Sequence, residues 1–441
     1  MAAHPFSIHN YRVYWIARLA STLAGLSMVV VIGWQVYDIA RATMSIREAA
    51  LQLGFVGLVQ FLPLLALTLV TGWVADRLDR RWIVRAAIAL ELGCAAVLAW
   101  LTHTDTITLP ALFGIAALLG VARALISPAQ QALAPNLVPA ASLPTAIALS
   151  ALAWQVGSIG GPAMGGYLYA VGPAVPYWVA TALFGVALAM MMLVTPVARS
   201  TIAKVGNPLM QMVEGLRYVR RNRLVLGAIS LDMFAVLLGG ATAMLPIYAR
   251  DVLMIGADGL GHLRAAPAVG AVAVAVVLSW RPLKTNVGVK MLWAVIGFGA
   301  ATTVFGWAGP LMTRWFGPSM IGSELAPAVL VSIVALIALG GFDMISVYVR
   351  SSLIQLHTPD AMRGRVGSVS TLFISSSNEL GEARSGFLAS LIGPVVATVG
   401  GGIAAILVTA LWARIFPELR RARTFDPPAS LDNPPPEEIK A

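Results

Sequence analysis

Residues 72–81 read GWVADRLDRR and form a short charged stretch between two long apolar runs. The runs, at about 50–74 and 82–102, are each long enough to cross a bilayer, because a membrane-spanning helix needs about 20 mainly apolar residues. Similar runs recur from near the N-terminus almost to residue 416. The charged stretch is therefore predicted to connect two membrane helices.

The composition points to the same class of protein. The chain has 441 residues, of which 58% are hydrophobic and 11% are charged, whereas soluble domains contain roughly 25% charged residues. A soluble fold has no way to bury so much apolar surface. We predict an all-α polytopic membrane protein with twelve transmembrane helices, at about 13–39, 50–74, 82–102, 107–128, 143–170, 175–195, 224–249, 259–280, 288–308, 326–350, 365–390 and 392–414.

These segments divide the chain into four regions. We predict a six-helix bundle at 1–195, a linker at 196–223, a second six-helix bundle at 224–416 and a disordered tail at 417–441, which is rich in proline and acidic residues. The linker contains apolar residues at helical spacing opposite its arginines, which predicts an amphipathic helix on the membrane surface. These apolar residues are Leu209, Met212, Val213, Leu216 and Val219.

The distribution of positive charge gives these helices a direction. The formal net charge is +10, but the Lys and Arg residues lie between apolar segments and not along one solvent face, which argues against nucleic-acid binding. Cytoplasmic loops carry an excess of Lys and Arg. With both termini in the cytoplasm, 22 of the 30 Lys and Arg residues fall on or beside cytoplasmic segments. The exceptions are Arg41, Arg47, Arg250, Arg264 and Arg314 outside, and Arg18, Arg123 and Arg384 within spans.

Several classes of protein lack support in the sequence. Cys94 is the only cysteine, which excludes an intrachain disulfide and a cysteine metal cluster. The chain has no HExxH, GxSxG or Walker-type motif, and its five histidines are dispersed. We therefore expect no enzyme activity, cofactor or metal. A receptor or scaffold would carry larger soluble segments, and a channel stays an alternative in principle.

The stretch at 72–81 resembles the loop signature of the major facilitator superfamily. Gly72 would permit close helix approach, Asp76 would accept hydrogen bonds or meet a helix N-terminus, and Arg77, Arg80 and Arg81 would anchor the loop. The resemblance implies a gating role for these five residues. The alternative is an ordinary basic turn. Asp79 stands where the family pattern has glycine, but Asp tolerates a left-handed turn better than most residues, which would allow the loop to keep its form.

A second motif lies in the fifth predicted span. The sequence GSIGGPAMGG resembles the Gly-Pro motif of exporters in this superfamily. Glycines four residues apart form a smooth face for helix packing, and the proline adds a bend. The alternative is generic helix packing. The residues concerned are Gly157, Gly161, Pro162, Gly165 and Gly166.

The second half extends the likeness. Residues 231–253 and 358–382 resemble the bacterial branch that contains enterobactin exporters and macrolide efflux proteins. The resemblance implies two six-helix bundles of the major facilitator fold, alternating access and proton-coupled antiport. We expect a monomer in the bacterial inner membrane that exports a siderophore or drug-like compound. An importer or uniporter of another small solute is the alternative.

Ionisable residues at membrane depth are candidates for proton coupling, because each costs roughly 2.5 to 3.5 kcal/mol on insertion scales. Asp232, in the seventh span, is the first candidate, with a structural hydrogen-bond acceptor as its alternative. Glu379 and Glu382, beside Asn378 in the eleventh span, are further candidates, although we favour a structural polar network for them. Glu91 lies near the middle of the third span, where we favour a structural role.

Other residues are candidates for the wall of a substrate cavity. By family resemblance, Arg123 and Asp343 belong to cavity-lining helices, where Arg123 would hold an anionic substrate or neutralise a carboxylate of the same half. Its alternative is an arginine that extends to the membrane surface. The aromatic candidates are Trp34, Tyr37 and Phe234.

Overall fold

The computed structural model describes residues 4–77, 79–139, 142–196 and 208–425, and within them the chain is almost entirely helical. The helices follow from the long apolar runs and end at glycines, prolines and charged caps. They are α1 His9–Thr43, α2 Ile46–Arg77, α3 Arg80–His103, α4 Leu109–Leu133, α5 Leu143–Val171, α6 Val175–Met192, α7 Pro208–Arg221, α8 Arg223–Gly239, α9 Leu245–Ile247, α10 Gly256–Trp280, α11 Val287–Phe316, α12 Pro327–Leu356, α13 Asp360–Ile392, α14 Pro394–Ile415 and α15 Pro417–Arg421.

Ten segments in the described ranges are long and apolar enough to cross a membrane, and the chain from α8 to Val252 counts as one of them. Helices α5 and α13, of 29 and 33 residues, are comparably long. Together they give the twelve predicted membrane helices in the described part of the chain.

The seventh span differs from its prediction. We predicted one helix over 224–249, but α8 ends at Gly239, and Gly240 takes the left-handed conformation with φ 46°. The chain continues as a 3₁₀ turn, the short α9 and a π-helical turn at Tyr248–Val252. The prediction of an unbroken helix was wrong because two adjacent glycines permit a break that hydropathy does not detect.

The linker helix is present as α7, and its apolar residues divide between two environments. Val219 is buried in a cluster with Val366 and Val369 of α13, while Val213 and Leu216 are about half exposed. Leu209 lies outside the residues whose side chains are described. The helix therefore packs on α13 with part of its apolar surface and leaves the rest uncovered.

The membrane helices form two halves. In the first, α1 packs on α5 and α6, and α4 packs on α2 and α3; in the second, α11 packs on α12 and α14, and α8 packs on α13 and α14. The halves meet where α2 lies against α13 and where α5 lies against α10. We call the membrane face at which α1 begins the near face, and the one at which α1 ends the far face.

Glycines bring the two halves close together toward the far face. A Cβ atom on Gly386 of α13 would overlap the backbone of Gly54 in α2. A Cβ atom on Gly166 of α5 would lie 2.5 Å from the Cα atom of Gly261 in α10. All four residues lie in the far half of their helices, so the tight contacts between the halves are on that side.

We expect Gly166→Ala to lower the thermal unfolding temperature of the purified protein. The added methyl group has to displace the backbone of α10, and overpacking of this kind typically costs about 1–3 kcal/mol. Gly93→Ala is the matched control, because a Cβ atom at Gly93 meets nothing within 4 Å. A Gly166→Ala protein that melts with Gly93→Ala or above it would contradict this packing.

Candidate functional site

An ion pair joins the two halves in the middle of the membrane. The Arg123 guanidinium on α4 lies 2.9 Å from a Glu379 carboxylate oxygen on α13, measured from Nη1 to Oε1. The same Nη1 atom donates a hydrogen bond of 3.2 Å to the Gln60 side chain on α2. Sequence reasoning considered a partner for Arg123 in its own half, but the partner comes from the other half.

Two further charged side chains, one acid and one arginine, lie near this pair. Glu382 lies one turn along α13 from Glu379, and its carboxylate interacts electrostatically with Glu379, Arg264 and Arg123. Arg264 was predicted to lie outside the membrane, but it is half-buried within the first half of α10, which begins at Gly256. The central cluster therefore consists of Gln60, Arg123, Arg264, Glu379 and Glu382, with two positive and two negative side chains.

The first-ranked proton candidate has a partner within its own half. Asp232 on α8 forms an ion pair with Arg350 on α12, and the side chain of each is 6% exposed. The predicted cavity residue Asp343 lines a small recess beside this pair, together with Phe298 and Ser346. Both charges belong to the second half, so this pair does not join the two halves.

The predicted cavity aromatics have different surroundings. Trp34 is 4% exposed and packs edge-on against Tyr169 of the same half. Phe234 packs against Trp412, with ring centroids 5.0 Å apart. Both rings hold helices together within one half. Tyr37 is also buried, but its hydroxyl reaches the other half.

A second set of cross-half ion pairs lies at the far face. Arg41 of α1 pairs with Asp251 at 3.0 Å, and Asp38 of α1 pairs with Arg250. The Tyr37 hydroxyl donates a hydrogen bond of 2.5 Å to the Asp251 carboxylate. We call these five residues the far-face latch. The exchange is reciprocal, since each half supplies one acid and one arginine.

The π-helical turn holds its side of the far-face latch in place. Arg250 and Asp251 both lie on this turn. Tyr248, on the same turn, donates a hydrogen bond of 2.9 Å to the Gly306 carbonyl and stacks on Phe305 of α11. Sequence reasoning counted Arg41 and Arg250 only as exterior charges. The sequence does contain a signal for these ion pairs: an acid and an arginine lie close together at the end of both the first and the seventh spans.

Sequence reasoning also missed the function of Arg384. Its guanidinium donates hydrogen bonds of 3.2 and 2.8 Å to the carbonyls of Leu237 and Leu238, at the end of α8. The last carbonyls of a helix have no intrahelical donor, and a positive charge is favourable there. Arg384 therefore caps the break in the seventh span from α13, the helix that carries Glu379.

The charged loop after α2 is described only in part. The side chains of Gly72, Asp76 and Arg77 lie outside the described residues. Asp79 is extended, with φ −65°, and its carboxylate caps α3 by accepting the Arg81 amide hydrogen. Asp79 therefore does not need the left-handed conformation that its tolerance would permit. Arg81 also donates a hydrogen bond to the Val194 carbonyl, and this anchors the start of α3 to the chain after α6.

The glycines of the predicted exporter motif serve two contacts. Gly157, Gly161 and Gly165 face α1, where a Cβ atom would crowd Thr22, Leu23 and Ser27. Gly166 faces α10 of the other half, and Pro162 lies within α5. The motif therefore packs one half and also touches the second. The described residues contain no group of three or more His, Cys, Asp or Glu that could hold a metal ion.

A sequence profile for transmembrane secretion effectors matches residues 1–440. The chain belongs to this family. Among its relatives are the enterobactin exporters of Shigella boydii serotype 18 and Escherichia coli O1:K1, each 25% identical over 425 residues, which are 95% of this chain and 94% of the relative. The family and these relatives together show that the chain is a membrane transporter of small molecules and not an enzyme.

Solved structures confirm the major facilitator fold. A D-xylose–proton symporter superposes with a TM-score of 0.65 at 14% identity, covering 92% of this chain and 98% of its own. The POT family transporter PepTSo superposes with a TM-score of 0.66 at 13% identity, covering 93% and 99%. At such identities the likeness is one of fold alone. Together with the similarity to the enterobactin exporters, this fold supports a multi-pass protein of the inner membrane.

We expect Asp251→Asn to open the far face, because it removes the charge that binds both Tyr37 and Arg41. Spin labels at Thr43→Cys and Asp258→Cys, in a Cys94→Ala background, report the separation of the halves there by double electron–electron resonance. The longer-distance population should rise in Asp251→Asn. Asp105→Asn, an exposed far-face control with φ 53° that asparagine also adopts, should leave it unchanged. Equal distance distributions in both variants would show that the latch does not hold the halves.

Proposed function

We propose that this protein exports a small molecule across the bacterial inner membrane by alternating access, in exchange for protons. The ion pair between Arg123 and Glu379 carries the proposal, because it links the halves at mid-membrane with a second acid, Glu382, beside it. Intramembrane charges are costly, and in transporters they mark ion and substrate pathways. A pair split between the halves has to break whenever they separate at this depth.

The direction of the structure in the membrane supports export. The near face carries most of the Lys and Arg residues, so we assign it to the cytoplasm, together with both termini. The far face is then periplasmic, and the far-face latch closes it. The cross-half ion pairs among the described residues lie at mid-membrane and at the far face, so the periplasmic side is the closed one. An exporter loads its cargo in this state.

The central cluster supplies a cycle that links cargo to protons. Cargo that enters from the cytoplasm disrupts the pair between Arg123 and Glu379, and the halves separate at the far face. Glu379 then loses its arginine and accepts a proton from the periplasm. The protonated, empty transporter then returns to the state in which the far face is closed. Proton release to the cytoplasm restores the pair. Each cycle therefore moves cargo out of the cytoplasm and protons into it.

The class of cargo follows from the relatives and from the charges of the central cluster. The related enterobactin exporters act on a siderophore by name. The two arginines and two glutamates of the cluster offer polar contacts without a net charge, which suits a bulky, largely neutral molecule with many hydrogen-bonding groups. We therefore favour a siderophore over a cationic drug.

An importer or uniporter of another solute is the competing function. In either case the protein acts as a monomer.

Transport into inverted membrane vesicles tests this function. We expect a proton gradient to drive accumulation of labelled enterobactin, and an uncoupler to abolish it. Labelled macrolide tests the drug-like alternative in parallel. Transport that only dissipates a cargo gradient, for both compounds and with or without the uncoupler, would favour a uniporter and contradict the proposal.

The acid that couples protons can be identified in the same vesicles. We expect Glu379→Gln to lower gradient-driven accumulation at least tenfold and to keep the exchange of cargo for cargo, because glutamine fits the site but cannot cycle a proton. Asp232→Asn is the matched comparison, and its transport should still respond to the pH gradient, because Asp232 pairs within one half. Loss of the pH response in Asp232→Asn with a normal response in Glu379→Gln would assign coupling to Asp232.

A further inference from the structure

Glu91 is a buried acid that the central cluster leaves unused. It lies in the middle of α3, and the residue is 5% exposed. Its Oε2 atom is fully buried and has no hydrogen-bond partner among the described residues. Buried polar atoms of folded proteins are nearly always hydrogen-bonded, and each exception calls for an explanation.

The surroundings of Glu91 contain one nearby positive side chain. Arg123, on the adjacent helix α4, acts electrostatically on the Glu91 carboxyl group. Helix α6, which also packs on α3, carries no charged residue. The hydroxyl of Tyr177 on α6 donates its hydrogen bond to the Gln35 side chain. Cys94 lies one turn along α3 and is the other titratable group beside Glu91. Arg123 therefore acts electrostatically on an acid of its own half and forms an ion pair with Glu379 of the other.

We propose that Glu91 is the second partner of Arg123, and that Arg123 exchanges between two acids during the cycle. Arg123 pairs with Glu379 while the far face is closed. When the halves separate there, its guanidinium turns to Glu91 within the first half. This inference rests on the proposed function, because it requires the halves to alternate.

The geometry of the arginine side chain makes this exchange possible. The guanidinium has a long, flexible stem and donors that pair with either carboxylate, so it can pivot while α4 stays packed on α3. The α4 backbone is fixed close by, since a Cβ atom on Gly120 would overlap the Gln60 backbone of α2. Leaving Arg123 unpaired inside the membrane would be costly. With an acid on each side, the arginine has a partner in both states.

Variants at the two acids test the exchange. The spin labels at Thr43→Cys and Asp258→Cys, in the Cys94→Ala background, measure the far-face-open population. We expect Glu379→Gln to raise this population, because Arg123 then loses its ion-pair partner in the second half while Glu91 stays available in the first. Adding Glu91→Gln should reverse the rise, and Glu91→Gln alone should lower the open population severalfold. Glu91→Asp, which keeps the charge, should behave close to the wild type.

The outcomes separate this inference from the proposed function. If Glu379→Gln raises the open population and Glu91→Gln does not reverse it, Glu91 is not the second partner. If Glu379→Gln leaves the population unchanged, the central ion pair does not control the halves, and the proposed function fails at its own step. Should Glu91→Gln fail to fold, Glu91→Met, which removes the charge and keeps a similar volume, decides when combined with Glu379→Gln: reversal of the rise seen in Glu379→Gln supports the exchange, and an unreversed rise overturns it.

Discussion

The ion pair between Arg123 and Glu379 constrains the whole molecule, because each half supplies one of its charges. Separating the pair leaves a charge without a partner, and a charge at membrane depth costs roughly 2.5–3.5 kcal/mol on insertion scales. The halves therefore cannot part at mid-membrane without a new partner or a change of protonation. Cargo, a proton and a second acid are three ways to meet this cost. The glycine contacts at Gly54 and Gly386 bring α2 and α13 close enough for the pair to form.

Helix α13 connects this pair to the far face. It carries Glu379 and Glu382, which face the first half, and Arg384, which caps the break in the seventh span. A Cβ atom on Gly240, at the break, would overlap Ser385 of the same helix. Beyond the break, the chain leads directly to Arg250 and Asp251 of the far-face latch. The central pair and the latch are thus joined by one rigid helix and one hinge, a physical route by which they can open together.

The fold was largely predictable from sequence, because hydropathy and the distribution of arginine act on long segments. The break at Gly240 was not, since it depends on a cap from Arg384, 144 positions along the chain. The site was only partly predictable for the same reason, because it too depends on contacts between residues far apart in the sequence. Glu379, Glu382 and Arg123 were recognised singly as costly charges, but only the tertiary structure shows that Arg123 and Glu379 pair across the halves. Asp232 is the first candidate from sequence because it lies deep in the seventh span. Its partner Arg350 lies on a different helix, and spacing along the sequence gives no signal of that pairing.

The most direct measurement exchanges the two charges of the central pair. Arg123→Glu and Glu379→Arg are each expected to abolish gradient-driven accumulation of labelled enterobactin in inverted vesicles, because each places two like charges together. The double variant Arg123→Glu/Glu379→Arg restores the attraction between the halves, and it should recover a measurable part of the accumulation. A double variant as inactive as either single one, although it is folded and inserted normally, would contradict a gating function for this pair.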